Sequence, residues 1–425
     1  MARSFTQEVE ITRLGGHGDG VAETPKGLVF VPYTAPGDRV GVRLLKQVDQ
    51  GVAAELLDLY QAGPDRVEPP CAHFHDCGGC ALQHLSGTFQ ARWKQDQVRD
   101  ALRRRNLDPE VVRPIATVAP GDRRRAEFVA RRVGAGVLAG FNRRLSPKIV
   151  DLEMCLVLDP RLVALLPPLR DTFTGLLKPG AGLDVQATLT DTGIDMLLRG
   201  FEPDLAARER LAAFAAEAGL ARLSLRRRDG EVEALLVRGT PQVTFGGVAV
   251  TLPPGAFLQA SPAAERLLRD AVLAGIGDAA RVADLYAGCG TFALPLSGKA
   301  AVTAVEGDAA LAEALRKAAQ LAGCRVTVET RDLVRRPLQG AELDRFDAVV
   351  LDPPRAGARE QAVALAASKV PRVVMVSCMP GTFARDARIL VDAGYRLTEV
   401  RPVDQFVFTP HIELVGVFVR GEGDA

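Results

Sequence analysis

No stretch of this 425-residue chain holds the ~18 consecutive apolar residues that a bilayer-crossing helix needs, so no membrane partner is expected. The opening residues, MARSFTQEVEITRLGG, contain no apolar segment of the secretory kind, and the expected location is the cytoplasm. Net charge is almost lacking as well: 53 basic residues against 52 acidic ones leave +1. Internal repeats and low-complexity tracts are missing, which argues against solenoid and fibrous architectures. Seven cysteines, an odd number in a reducing setting, argue against a disulfide framework. With 47% apolar and 25% charged residues over this length, two or three globular domains are expected.

What is present is unevenly spread. Residues 91–150 carry 15 Lys or Arg against 6 Asp or Glu, a local balance of +9, with RRR at 103–105 and again at 123–125. Such a stretch suits a phosphate-bearing partner, and nucleic acid is favoured over a merely solvated face. Residues 5–60 alternate apolar and polar positions between Gly and Pro breaks, the pattern of short strands in a small β-barrel. OB-like barrels bind single-stranded nucleic acid, so Phe30 and Tyr33 are candidates for base stacking as well as for core filling. Residues 89–106 have helical character, and 115–250 mix β-like runs with one amphipathic segment, LAARERLAAFAAEAG, an α+β pattern. From about residue 255, apolar strands alternate with helical segments, as in a doubly wound, Rossmann-like α/β sheet. The expected fold is therefore multidomain, with units at 1–62, 63–250 and 251–425.

Three cysteines cluster in CAHFHDCGGC: Cys71, Cys77 and Cys80. Thiols this close resemble a soft metal site, and Gly78 and Gly79 let the chain wrap closely around it. Cys155 is the only other thiol upstream of the third unit and is the candidate fourth ligand. Spacing admits an iron–sulfur cluster or a tetrahedral zinc joined by His73 or His75.

In the third unit, DLYAGCGTF reads as strand, glycine turn and helix, and Gly288 and Gly290 let backbone approach a ligand. The full G-x-G-x-x-G pattern is lacking. S-adenosylmethionine (SAM), which has a ribose but no pyrophosphate, fits the shorter turn. Glu306 ends the next strand, where a carboxylate accepts ribose hydroxyl protons. Asp332 falls near the place of an adenine amino group. Asp352 ends a further strand and is placed to hold a cofactor or a substrate amide, its loop stiffened by Pro353 and Pro354. Cys378 follows the apolar run VVMVS, at a strand end of the kind where open α/β sheets place ligands.

The motifs DLYAGCGTF, VEGD, LDPPRAG, VSCMPGTFARD and TPHIELV occur in an order that resembles the SAM-dependent RNA (uracil-C5) methyltransferases. The first unit is similar to the TRAM domain of that family, and the C-x5-C-x2-C cluster to the iron–sulfur motif of its bacterial 23S ribosomal-RNA members. Met379, Gly381 and Val407 depart from the family pattern. The resemblance implies that Cys378 adds to uracil carbon 6 and that Glu413 removes the proton from carbon 5, with His411 as rival base. It implies SAM contacts at Gln259, Tyr286, Thr291, Glu306 and Asp332, beside Gly288 and Asp352; Asp352 is also placed to meet the uracil N3–H. A [4Fe–4S] cluster on Cys71, Cys77, Cys80 and Cys155 is the expected second cofactor. The expected partner is large-subunit ribosomal RNA, met by a monomer, with transfer RNA as the alternative. Methylation of an exocyclic amine is a further reading of DPPR, opposed by Arg355 at the position an aromatic would hold. A non-enzymatic RNA-binding protein is the third.

Overall fold

Alternating apolar residues build the first unit. In the computed structural model, which describes residues 6–420, strands β1 (Thr6–Glu10), β2 (Arg13–Leu14), β3 (Gly20–Thr24), β4 (Gly27–Val31), β5 (Arg39–Val48) and β6 (Gly51–Gln61) form one sheet in the order β1-β5-β6-β4-β3-β2. The outermost ends of the expected first and third units, 1–5 and 421–425, lie outside the described residues. Val9, Val29, Val31, Val40 and Val42 fill the inner face. Tyr33, a candidate for base stacking or for core filling, packs against the cysteine segment. Its ring packs edge-on against Phe74 and His75 (centroids 5.1 and 5.2 Å), and the Arg144 guanidinium lies 5.8 Å from its centroid. It joins the barrel to the cysteine segment.

The short strand β7 (Ala116–Thr117) precedes the middle sheet. There β8 (Arg125–Val133), β9 (Gly136–Asn142), β10 (Ile149–Asp151), β11 (Gly182–Thr190), β12 (Gly193–Arg199), β13 (Leu220–Arg226) and β14 (Val232–Val237) run in the order β10-β9-β8-β11-β12-β13-β14. Helices Leu166–Thr174 and Leu205–Glu217 bury Leu169, Phe173, Leu211 and Phe214 in its core. This is the expected α+β unit.

A hairpin of β15 (Gln242–Phe245) and β16 (Val248–Thr251) leads into the third sheet. It is formed by β17 (Arg281–Leu285), β18 (Ala301–Glu306), β19 (Val326–Thr330), β20 (Ala348–Leu351), β21 (Arg372–Ser377), β22 (Tyr395–Asp404) and β23 (Glu413–Arg420), in the order β19-β18-β17-β20-β21-β23-β22-β7. The first five are parallel, and β23 enters antiparallel beside β21. From β17 the chain winds outward to β19, and β20 restarts on the other side of β17. The strand order therefore reverses between β17 and β20, and such a switch point opens a crevice at the carboxyl ends of the strands.

Two segments assigned by sequence to the middle unit pack on the third. The helix Gly87–Arg103 buries Val98 and Leu102 in one core with Phe383 and Leu390 of the helix Pro380–Asp392, and β7 pairs with β22. The hairpin places Val243, Phe245 and Val250 in the core on the opposite face. Composition could not reveal this, because an amphipathic helix shows that it has a partner without showing which one.

The basic stretch also proves partly structural. Lys94 is fully buried and donates to Asp404 Oδ1 (2.6 Å) and to the Phe406 carbonyl (3.1 Å). Arg124 is buried against Glu265 and the Gln259 carbonyl, and Arg144 pairs with Asp19 (2.7 Å). These cations join distant segments of the chain through ion pairs. Lys94→Met strands the Asp404 carboxylate in the interior and is expected to cost about 3 to 5 kcal/mol, read as a lower urea midpoint at neutral pH.

Candidate active site

The cofactor-contact, catalytic and cysteine candidates singled out by sequence converge. One cavity of about 910 Å³ is lined by Gln259, Tyr286, Gly288, Thr291, Glu306, Asp332, Asp352, Cys378 and Glu413, and at its other end by Cys71, Cys77, Cys80 and Cys155. It extends from the switch-point crevice to the cysteine segment.

The β17 turn builds the nucleoside end. Tyr286, Gly288 and Gly290 all have left-handed φ (65°, 55° and 97°). A Cβ on Gly290 would stand 2.5 Å from Leu315 Cδ1, so packing demands glycine there. In front of Gly288 the space is open to 4 Å, which leaves room for a ligand against the backbone. Glu306 ends β18 and accepts the Gly288 N–H on Oε2 (2.8 Å) and the Asp308 N–H on Oε1 (2.7 Å). Each oxygen keeps a lone pair for a hydroxyl proton. Asp332 sits in the loop after β19, where Oδ1 accepts the Val334 N–H (3.0 Å) and the Arg335 N–H (3.2 Å). Burial pushes the Tyr286 hydroxyl up to about 12.

At the centre, three ionisable groups share poorly solvated space. Asp352 ends β20; burial pushes it up to about 7 against a bond from Gln259 Nε2 to Oδ2 (3.2 Å). Glu413 opens β23, 6% exposed; burial and then the Asp352 charge push it up to about 8, with Gln405 and Arg355 opposing. Cys378 leaves the end of β21, and burial followed by the Glu413 charge pushes its thiol up to about 11, with Arg355 pulling the other way. Such a site offers a thiol beside a carboxyl poised to exchange protons near neutral pH. His411, the rival base, does not line the cavity; its ring stands edge-on to Phe406 (5.9 Å). The helix after Cys378 starts at Met379, which supplies no side-chain cap.

The cysteine end is shaped by close approach. Gly78 donates its N–H to the Asn142 carbonyl (2.9 Å), and a Cβ on it would meet that oxygen at 2.8 Å. His73 Nε2 accepts the Glu153 N–H (3.2 Å), tying the loop to the segment that carries Cys155. Burial raises Cys77, Cys155 and Cys80, the last to about 12, and all three are raised further by neighbouring cysteine charges. All seven cysteines are free thiols. Among the described residues no three His, Cys, Asp or Glu side chains gather at the spacing of ligands around one metal ion.

Sequence reading missed Gln405, Phe406 and the cavity roles of Arg355 and Phe257. The last is 62% exposed, with the Arg125 guanidinium 4.6 Å from its ring centroid. The segment VRPVDQ, which mixes apolar and charged residues, held no signal that marks Gln405.

Comparison with known proteins accords with this geometry. The profile of the tRNA (Uracil-5-)-methyltransferase family matches residues 253–421, and that of the TRAM domain matches 5–57. An uncharacterized RNA methyltransferase of Brucella suis is 45% identical over 99% of this chain and 100% of its own. The 23S rRNA (uracil(1939)-C(5))-methyltransferase RlmD of Alkalilimnicola ehrlichii is 34% identical over 98% of this chain and 97% of its own. The crystal structure of Pyrococcus abyssi tRNA (uracil-54, C5)-methyltransferase with S-adenosyl-L-homocysteine shares the fold at TM-score 0.76, 24% identity, covering 97% of this chain and 99% of the other. The chain belongs to the SAM-dependent RNA (uracil-C5) methyltransferase family.

The raised carboxyls set a pH dependence of stability. Their folded values, about 7 and about 8, exceed their unfolded ones, so the folded state holds the extra protons. This contribution is complete below the unfolded carboxyl range, about pH 4, and is lost as pH rises through 7 to 8. Urea midpoints of the ligand-free protein should fall over that window, and Glu413→Gln should flatten the fall.

Proposed function

We propose that this enzyme methylates carbon 5 of one uridine in large-subunit ribosomal RNA through a covalent adduct with Cys378. The observation that carries the chemistry is the meeting of Cys378, Asp352 and Glu413 in the cavity that holds the ribose-facing Glu306. Carbon 5 of uracil is a weak nucleophile. Addition of the Cys378 sulfur to carbon 6 makes the ring an enolate, which takes the methyl group at carbon 5. SAM supplies that methyl group and leaves as S-adenosylhomocysteine. Glu413 accepts the carbon-5 proton, the C6–S bond breaks, and the thiolate departs. Arg355 favours the thiolate by its charge, and Asp352 meets the uracil N3–H. The target base must leave its stack to enter so enclosed a site.

Ribosomal RNA is favoured by the 34% identity to RlmD over nearly all of both chains, and by the four cysteines. The donor set suits a [4Fe–4S] cluster: four soft ligands line one cavity wall. Such a cluster, held by Cys71, Cys77, Cys80 and Cys155, would fix the loop against β9 and the Cys155 segment. A monomer is the working unit of this reading, and a cytoplasmic location accords with the RNA substrate.

RNA carrying 5-fluorouridine tests the reading, because fluorine cannot leave as the proton does. A stable RNA–protein adduct is expected on Cys378, absent in Cys378→Ala; an active Cys378→Ala enzyme would overturn the mechanism. Mapping the adduct onto transfer RNA instead would overturn the substrate. With ordinary RNA, Glu413→Gln should slow release of the adduct by about 10²- to 10⁴-fold. Iron and sulfide analysis of protein purified without oxygen, with Cys80→Ser as control, separates cluster from zinc.

A further inference from the structure

Arg123, Arg124 and Arg125 read as one cationic run, and the extended backbone that leads into β8 divides it. Successive side chains on such backbone point to opposite sides. Arg123 and Arg125 line the cavity, whereas Arg124, 6% exposed, turns to Glu265 in the first turn of the helix Pro262–Gly275. Just before that helix, residues 252–260 form neither helix nor strand, so no ladder serves their backbone groups. The arginines serve them instead. The Leu258 carbonyl accepts from Arg125 Nη1 (2.7 Å), the Gln259 carbonyl from Arg124 Nε (3.0 Å), and the Ala260 carbonyl from the Arg124 backbone N–H (2.9 Å). Asp122 extends the grip, because its Oδ2 accepts the Ser261 hydroxyl and the Ala263 N–H (3.1 Å). The buried Gln259 side chain thus has a fixed root. Its Nε2 donates to Asp352 Oδ2 (3.2 Å), and its Oε1 accepts from Gln405 Nε2 (2.9 Å).

We propose that Arg124 is a positioning residue for the cofactor: by holding the Gln259 peptide, it aims the Gln259 amide into the SAM pocket. It touches neither the cofactor nor the reacting atoms. The inference rests on the reading of Gln259 as a SAM contact. Arg124 Nε is the donor that the Gln259 carbonyl has among the described residues. A buried carbonyl stripped of its donor carries the full cost of its lost hydration, which drives the peptide to turn toward another partner. The irregular segment has no ladder to oppose that turn, and turning the peptide swings the side chain away from Asp352. The middle unit thereby reaches the cofactor pocket through a side chain that faces away from it.

The test is the SAM dissociation constant of the full-length protein, read by calorimetric titration in a double-mutant cycle. Arg124→Met combined with Glu265→Leu replaces the ion pair by apolar side chains and strands no buried charge, so the urea midpoint should stay near that of the wild type. SAM binding should weaken about tenfold, the scale of a buried carbonyl losing its donor. A Gln259→Met background separates positioning from general loosening. There the same replacement should change SAM affinity by less than about twofold, because the side chain that transmits the effect is gone. Arg124→Lys keeps the charge facing Glu265 without the Nε donor. It takes the place of the apolar pair if that pair fails to fold, and it should weaken SAM binding in the same pattern. Wild-type SAM affinity in a folded Arg124 variant, or an equal loss in both backgrounds, sinks the proposal. The underlying reading fails separately, if Gln259→Met alone binds SAM at wild-type strength.

Discussion

The site depends on how little negative charge its interior tolerates. Asp352, Glu413 and Cys378 lie within reach of one another's fields, and each is held toward its neutral form by burial. Water cannot screen these charges, so ionising one group makes the next harder to ionise. Proton inventory, rather than the presence of any single reactive residue, then governs the chemistry. Arg355 is the cation felt by both Cys378 and Glu413, and the glutamine pair supplies neutral donors that bind a carboxylate without adding charge.

That interior is assembled from distant parts of the chain. The third sheet contributes strand termini on both sides of the strand-order reversal, 306 on one and 352, 378 and 413 on the other. The middle unit adds Arg123, Arg125 and Gln186, and the cysteine segment closes the far end. The segments are joined by few but specific contacts. Ala81 and Leu82 donate to the Phe408 carbonyl (2.8 and 3.0 Å), and Phe408 itself adopts a left-handed φ of 62°. The cysteine loop and the loop before Glu413 therefore hold each other in place.

Much of this was legible beforehand, for a physical reason. Strand, turn and helix signals are local, and an α/β sheet turns local signals into a shared site by aligning its strand ends. The glycine turn at 288–290, Glu306, Asp352 and Cys378 could be placed on that basis alone. Side chains whose meaning lies in a remote partner could not. Lys94 reads as one more cation in a basic stretch, yet its partner is 310 positions away. Tyr33 reads as an exposed aromatic until Phe74 covers its edge. Gln405 follows Asp404 and carries no signal that sets it apart. The unit boundaries blurred similarly, because the helix Gly87–Arg103 and the β15–β16 hairpin declare amphipathic faces without naming the surfaces that take them.

The helix Gly87–Arg103 has a consequence for how the chain is made. Its apolar stripe and Lys94 emerge from the ribosome long before residues 380–404 exist. At typical synthesis rates of 5 to 20 residues per second, the 310-residue interval lasts about 15 to 60 s. Through that time Lys94, Val98 and Leu102 lack their eventual partners, while Phe89 and Trp93 of the same helix already have Leu14, Ala35, Leu82 and Leu85 to pack against. The last domain closes by recapturing a piece synthesised near the start.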